Sequence, residues 1–354
     1  MRQQPLYLKL IFSFLILVLF IGLTELSLHI ADPDLYYKNQ FFPINRDIDF
    51  PDVYKKDANL FWRFRPDQTI NSESFSDITY HINSKGMRGD EIDKSKKGIR
   101  ILAVGNSCTF GWGVEDDSIW TTRLSRKLQS EFPAKDIEIL NCGVPGYSSY
   151  QGKIYFEKEL LKLNPDIVTI MFGWNDQWTA GKNISDHEQE KPNAVILRLQ
   201  NIFSHLKIYQ LARKIVLSAT EKQQQISLDQ KGGKKRVPLP QFEENLRRII
   251  RLCKENNIVP ILMVPPVASL ENYFPGQYTI SNFHEQHKRY QDKVIATARY
   301  EDIDFIDHQP EFDKFSDLFS NPADDPIHFN AKGHAVFYQP IKERIKAIIK
   351  NPES

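Results

Sequence analysis

Five short apolar runs constrain the fold of this chain more than any other feature: residues 99–105 (IRILAVG), 137–143 (IEILNCG), 166–173 (DIVTIMFG), 258–264 (IVPILMV) and 303–308 (IDFIDH). A strand covered on both faces reads as a near-continuous apolar run, whereas a strand with one wet face alternates. Amphipathic stretches lie between several of the runs. Residues 119–132 place Ile119, Leu124 and Leu128 at helical spacing, and residues 150–163 read as a second helix. Short strands separated by helices predict an α/β fold with a parallel sheet covered on both faces. The stretch 331–350 reads as a closing helix that Pro340 either kinks or splits.

A chain of 354 residues can bury a substantial core without disulfides or metals. Its 46 basic and 45 acidic residues leave a formal net charge of +1, so the broad positive footprint of a nucleic-acid binder is missing and no nucleic-acid partner is expected. Cys108, Cys142 and Cys253 form no C-x-x-C pair and no metal-ligand spacing, which predicts free thiols rather than a disulfide framework or a zinc site.

The N-terminus bears on the compartment. Residues 10–24 (LIFSFLILVLFIGLT) carry no charge, and apolar character resumes beyond Glu25, giving a stretch long enough to span a bilayer. Arg2 and Lys9 precede it and Asp32 and Asp34 follow, which places the N-terminus in the cytoplasm and the bulk of the chain outside. Residues 1–31 are read as an uncleaved anchor, because no A-x-A-like site follows; a cleaved signal peptide with a secreted product, and a buried helix, are the alternatives.

Residues 32–98 read as a juxtamembrane arm lying on the main domain, ending in a short hairpin that turns at Lys85 and Gly86. Within the following domain, residues 99–350, an insertion at about 177–240 interrupts the strand–helix rhythm. Its stretch 194–217 sets Val195, Leu199, Ile202, Leu206, Tyr209 and Ile215 along a helical stripe that needs a cover. Packing against the main domain is the plainest cover; a lid or ligand-binding wall beside Ser107, and contact with a membrane, are the functional alternatives. The polar tract 223–240 reads as a mobile loop whose KGGKKR run is a solvated charge cluster, with contact to anionic headgroups or acidic glycans as the alternative.

Four segments carry chemistry. V-G-N-S-C-T-F-G-W-G-V, 104–114, stands where a buried strand meets a helix, so Ser107 can present its hydroxyl at the carboxyl end of the sheet with its own amide aimed into the same crevice. N-C-G-V-P-G-Y-S-S, 141–149, follows the second run, and its glycines let a backbone amide approach a developing oxyanion closely. G-W-N-D, 173–176, follows the third and offers the Asn175 amide to the same charge. D-D-P-I-H-F-N, 324–330, sets Asp325 three residues before His328, where a carboxylate can fix the imidazole tautomer and leave the other nitrogen to take a serine proton. Each alone has a plainer role, as a turn, a cap or a surface histidine.

Together, in this order, the four segments resemble the four sequence blocks of the SGNH or GDSL-like hydrolases. The resemblance implies a flavodoxin-like three-layer sandwich with a central parallel sheet of about five strands. It makes Ser107 the nucleophile, His328 the general base and acid, and Asp325 its orienter. Gly146 and Asn175 become oxyanion donors beside the Ser107 amide. Gly146 is preferred to Gly143 because the family spaces an asparagine, here Asn141, five residues before the oxyanion glycine. The implied reaction is cleavage of an ester through an acyl-enzyme, with no metal or organic cofactor. O-acetyl groups on glycans or envelope lipids are candidate substrates, and an O-acyltransferase using the same triad or a silent glycan-binding scaffold are the rival functions. Two departures stand out: Asn106 replaces the family's aspartate before the nucleophile, and the insertion is longer than the family needs. The G-x-S-x-G elbow of the α/β-hydrolases is absent, since Thr109 stands at its last glycine.

Overall fold

A computed structural model describes residues 5–31, 33, 35, 53–71, 78–180, 183–216, 233–268, 280–322 and 325–351. All five apolar runs are strands of one sheet: β5 (Ile99–Gly105), β6 (Ile137–Gly143), β7 (Ile167–Met171), β8 (Val259–Val264) and β9 (Asp304–Asp307). They pair throughout in parallel, in the order β6-β5-β7-β8-β9. This is the flavodoxin-type order, in which the chain reverses direction across the sheet beside its first central strand. The fold is thus the three-layer α/β sandwich anticipated from the sequence.

Successive residues of a strand point to opposite faces, and the core divides accordingly. Leu102, Val104, Val168, Ile170 and Leu262 face α4 (Ser149–Lys158), α6 (Leu239–Glu255) and α7 (Ile280–Tyr300). Ile101, Ala103, Ile167, Ile261 and Met263 face α3 (Trp120–Glu131) and α9 (Ala331–Lys350). Pro340 lies inside α9, which runs on as one helix, neither split nor ended. Short helices α2 (Ser107–Phe110) and α8 (Gln309–Phe312) complete this domain. The three cysteines are buried and free.

Ahead of the sheet, α1 (Leu6–Ala31) is the helix, among the described residues, long and apolar enough to cross a membrane; the mean hydropathy of its most apolar 18 residues is 2.6 and none of these is buried. Much of the segment that follows, 36–52, lies outside the described residues. From Val53 the arm folds into two antiparallel pairs, β1 (Tyr54–Asp57) with β2 (Phe61–Phe64) and β3 (Gln68–Ile70) with β4 (Tyr80–Ile82). Their aromatic side chains Tyr54, Trp62, Phe64 and Tyr80 are buried in the core on the sheet face that meets α4, α6 and α7. A short hairpin turns at Lys85 and Gly86: Ile82 bridges Arg88, and the Asn83 N–H to Met87 O (2.8 Å) and Gly89 N–H to His81 O (2.9 Å) bonds flank the bridge. Its second limb also joins the domain: the buried Arg88 guanidinium donates to the carbonyls of Phe110, Gly111 and Val114, and Arg88 bridges Asn141 on β6.

The insertion departs from its sequence reading in two ways. Residues 223–232 of the polar tract lie outside the described residues; of the basic run beyond them Lys234 is exposed, but Arg236 is buried at 2% exposure rather than solvated. Residues 176–180 and 234–237 run antiparallel, joined by Ala180 to Lys234, Arg236 to Trp178 and Val237 to Asp176 backbone bonds, so the two ends of the insertion form a stem. The apolar stripe, in turn, is not covered by the catalytic domain. Val195, Leu199, Ile202, Leu206 and Ile215 are exposed, because α5 (Ala194–Phe203) docks through polar residues instead.

Helix α4 and the end of β7 approach each other where Gly152 faces the Phe172 ring; a Cβ on Gly152 would lie 2.1 Å from Phe172 Cζ. Alanine in a helix ordinarily adds about 0.5–1 kcal/mol over glycine. Here overpacking reverses the sign: Gly152→Ala is expected to destabilise by about 1–3 kcal/mol and lower Tm in thermal unfolding. A Tm equal to or above that of the native protein would refute the close approach.

Candidate active site

The turn after β5 is built by Asn106. Its Oδ1 accepts from the Cys108 N–H at 3.0 Å and caps α2, which places Ser107 at the first helical position. The first N–H groups of a helix have no intrahelical acceptor; Ser107 N–H finds none among the described residues. An aspartate could cap in the same way. With asparagine the other atom of the group, Nδ2, is buried without a partner.

The loop before α9 shapes itself around one carboxylate. Asp325 Oδ1 accepts from the backbone N–H groups of Ile327 (3.1 Å) and His328 (3.0 Å), which curls the D-P-I-H turn, while Oδ2 meets His328 Nδ1 at 2.7 Å. The same group therefore folds the loop and holds the ring. With Nδ1–H committed to Asp325, the other nitrogen Nε2 is the acceptor, and it lies 2.7 Å from Ser107 Oγ. Burial pushes the Asp325 carboxyl up, but the bonds and charge of His328 and the bond from Ile327 outweigh it and hold the group below the usual carboxylate range. Ala268 N–H bonds to Pro326 O at 3.0 Å and ties this loop to the chain leaving β8.

The glycine loop after β6 distinguishes its two candidates. Gly143 N–H donates to Asn141 Oδ1 at 3.1 Å and is committed. Gly146, in the left-handed region at φ +79°, donates its N–H to no acceptor among the described residues. The orientation of that N–H is set by Trp62 of β2, whose Nε1 donates to Pro145 O at 3.2 Å. Across a trans peptide the N–H points opposite to the carbonyl, so holding the Pro145 oxygen turns the Gly146 N–H away from Trp62. Tyr147 locks the pair by donating its hydroxyl to Trp62 O at 2.6 Å. Asn175 Nδ2 donates one hydrogen to Tyr147 O at 3.0 Å, which leaves its second hydrogen free to donate. Next to it Asp176, fully buried, accepts from Ser149 N–H (2.8 Å) and Gly173 N–H (3.0 Å) and braces the two loops together; burial raises its carboxyl to about 6.

Sequence reasoning missed Arg236 and Asp186, both from the insertion and both buried at 2% and 3% exposure. Arg236 Nη1 donates to Gly146 O at 2.9 Å, Nη2 to Asp186 Oδ2 at 2.9 Å and to Gln151 Oε1 at 2.8 Å. Asp186 also accepts from Ser148 Oγ at 2.6 Å. The ion pair thus holds the glycine loop at Gly146 and at Ser148. No local signal marks Arg236, which in sequence belongs to a basic run. Trp62 was missed for the same reason, since its partner is 83 residues away.

The structure therefore brings Ser107, His328 and Asp325 into one hydrogen-bonded line at the carboxyl end of a parallel sheet, with Gly146 and Asn175 on the two neighbouring loops. This is the architecture of an α/β serine hydrolase. Residues 103–336 match the GDSL-like lipase/acylhydrolase family, and the chain belongs to it. Among characterised proteins it is similar to an isoamyl acetate-hydrolyzing esterase of Saccharomyces cerevisiae, 26% identical over 121 residues that make up 32% of this chain and 51% of that one. The match thus spans about half the length of that relative. Among solved structures it is similar to an acetylxylan esterase from Geobacillus stearothermophilus, with 18% identity, TM-score 0.44, 70% of this chain covered and 94% of the other. A G-D-S-L family lipolytic protein from Desulfitobacterium hafniense gives 16% identity, TM-score 0.43, and coverage of 69% and 98%.

Two substitutions test the supports of the glycine loop. Trp62→Phe keeps an aromatic ring but removes the donor to Pro145, and is expected to lower kcat for a short ester about 10-fold with little change in KM, a fraction of what a lost oxyanion donor costs; an unchanged kcat in a folded protein would remove Trp62 from the site. Arg236→Met leaves Asp186 buried without its cation and is expected to destabilise by about 3–5 kcal/mol in denaturant unfolding, with Arg236→Met/Asp186→Leu regaining part of the loss. A double variant no more stable than Arg236→Met would show that the two residues are not coupled.

Proposed function

We propose that the protein is a membrane-tethered carboxylic ester hydrolase that works through an acyl-enzyme on Ser107. His328 Nε2 takes the Ser107 proton as the hydroxyl attacks the ester carbonyl, and Asp325 holds the resulting imidazolium in place. The tetrahedral oxyanion accepts hydrogen bonds from the Ser107 and Gly146 backbone amides and from the Asn175 side chain. His328 then returns the proton to the leaving alcohol. In the second half it deprotonates a water that attacks the acyl-serine, releasing the acid and restoring Ser107. The observation that carries this reading is the pair of 2.7 Å contacts that join Ser107 Oγ to His328 and His328 to Asp325. The Ser107 and Gly146 N–H groups and the second hydrogen of Asn175 Nδ2, which find no acceptor among the described residues, support the oxyanion assignment.

The acyl group is proposed to be short, acetyl above all, as in the acetate ester of the yeast relative's name. Acetylated glycans or envelope lipids fit the proposed placement, in which α1 is an uncleaved anchor and the catalytic domain lies outside the cytoplasmic membrane.

The test uses the full chain in detergent with p-nitrophenyl acetate. Ser107→Ala and His328→Ala are each expected to abolish turnover with the fold intact, Asp325→Asn to be less severe, and Asn175→Ala to lower kcat about 10²- to 10³-fold. Turnover of Ser107→Ala at the native rate would overturn the proposal. Product analysis with a glycan acceptor present distinguishes release of free acetate from acetyl transfer.

A further inference from the structure

The insertion helices invert the usual arrangement of an amphipathic helix in water, where the apolar stripe faces the core and the polar side faces solvent. Helix α5 attaches to the domain by its polar residues. Asn201 pairs its amide with the backbone of Lys56 on β1, accepting from the N–H at 2.8 Å and donating to the carbonyl at 2.9 Å. Ser204 Oγ accepts from Arg65 at 2.8 Å, and Gln210 donates to Ser204 O at 3.0 Å; both residues are 7% exposed. What faces outward is apolar: Val195, Ile196, Leu199, Ile202, Phe203 and Leu206 are between 39% and 66% exposed, and Ile215, in the next helix over residues 207–216, is 61% exposed. A contiguous apolar face of this kind, ordered by polar contacts behind it, marks an interaction surface.

The occupant is indicated by what lies beside it. The Glu25 carboxylate, on α1, accepts from the backbone N–H groups of Lys207 (2.7 Å) and Ile208 (2.9 Å) and so caps the N-terminus of the second insertion helix. From Leu6 to Glu25 the helix α1 rises about 29 Å. That matches the roughly 30 Å hydrocarbon thickness of a bilayer, which puts Glu25 at the far hydrocarbon boundary and the helix it caps at headgroup level. Between residues 191 and 216 the chain carries Lys191, Arg198, Lys207, Arg213 and Lys214 and no acidic residue, a composition suited to anionic headgroups.

We propose that residues 194–216 form a lipid-facing platform, two helices lying in the plane of the membrane surface with their apolar face in the acyl boundary and locked to the membrane-crossing helix through Glu25. The platform rests on the anchor reading of α1. It continues through the stem of the insertion to Arg236 and the glycine loop, so the crevice at Ser107 takes one orientation relative to the lipid.

The test places an environment-sensitive nitrobenzoxadiazole label on a cysteine introduced at an exposed site of the full chain, reconstituted in vesicles of phosphatidylcholine and phosphatidylglycerol containing doxyl-labelled lipid. Leu199→Cys is expected to show blue-shifted emission and to lose roughly half its intensity to a shallow doxyl group, as befits a face buried about 5–10 Å into the interface. Val18→Cys reports the anchor with a deep doxyl group, and Ser130→Cys, on α3, is expected to stay unquenched. Quenching at 18 but not at 199 would overturn the platform and keep the anchor. Quenching at 199 without 18 would keep a lipid-facing surface and overturn the anchor and its lock. Neither site quenched would overturn both, and a label at 199 shielded from aqueous iodide yet unquenched by lipid would replace the bilayer with a second copy of the chain. Glu25→Ala is expected to weaken quenching at 199 and leave that at 18 unchanged; unchanged quenching at both would remove the Glu25 lock.

Discussion

The parallel pairing of β5 with β6 on one side and β7 on the other is the constraint from which the site follows. Register brings Gly105 level with Gly143 and with Met171, so three strands end at one height and their following turns emerge side by side. Only a parallel sheet delivers three successive turns to the same edge. Close packing there depends on missing side chains: a Cβ on Gly105 would lie 2.1 Å from Thr109 Oγ1, and one on Gly143 would lie 2.2 Å from the Phe110 nitrogen. The two glycines let α2 fold back over the sheet edge, and Ser107 rides on that helix.

Register alone does not aim a hydrogen bond. The donor on Gly146 is set by a peptide plane that Trp62 holds from outside the sheet through the Pro145 carbonyl, while Arg236 holds the next plane through the Gly146 carbonyl. Both holders are buried, and burying a guanidinium and a carboxylate together costs desolvation that the pair must offset through full hydrogen bonding. Arg236 achieves this by donating to Asp186, Gln151 and Gly146 at once. The arm, which precedes the GDSL-like domain, and the insertion within it are thereby part of the rigid frame of its crevice.

The same insertion faces two environments. Its stem and buried ion pair obey the rules of a protein interior, with polar groups satisfied and apolar groups enclosed. Its helices α5 and 207–216 obey the opposite rule on their outer face, with Asn201, Ser204 and Gln210 turned inward and the apolar side chains turned out. An outer face of that kind is stable where the surroundings are themselves apolar; Glu25, on α1, caps one of these helices.

How much was legible in the chain follows the range of each interaction. The five strands were readable because burial on both faces leaves a continuous apolar run, and the order of the segments around Ser107, Gly146, Asn175 and His328 followed from where those runs end. Asp325 was readable because its work is local: one oxygen closes the turn that brings His328, three residues on, to the other. Trp62, Arg236 and Glu25 were not, because they meet partners 83, 90 and 182 residues away, and no pattern within a helix or a turn records such a meeting. Periodicity likewise determined that residues 194–216 carry an apolar stripe, but which way it faces was decided only when Asn201 and Ser204 found the backbone of β1 and the side chain of Arg65. A period fixes the relative positions of side chains on one helix, whereas the direction that helix presents depends on contacts that exist only once distant parts of the chain have come together.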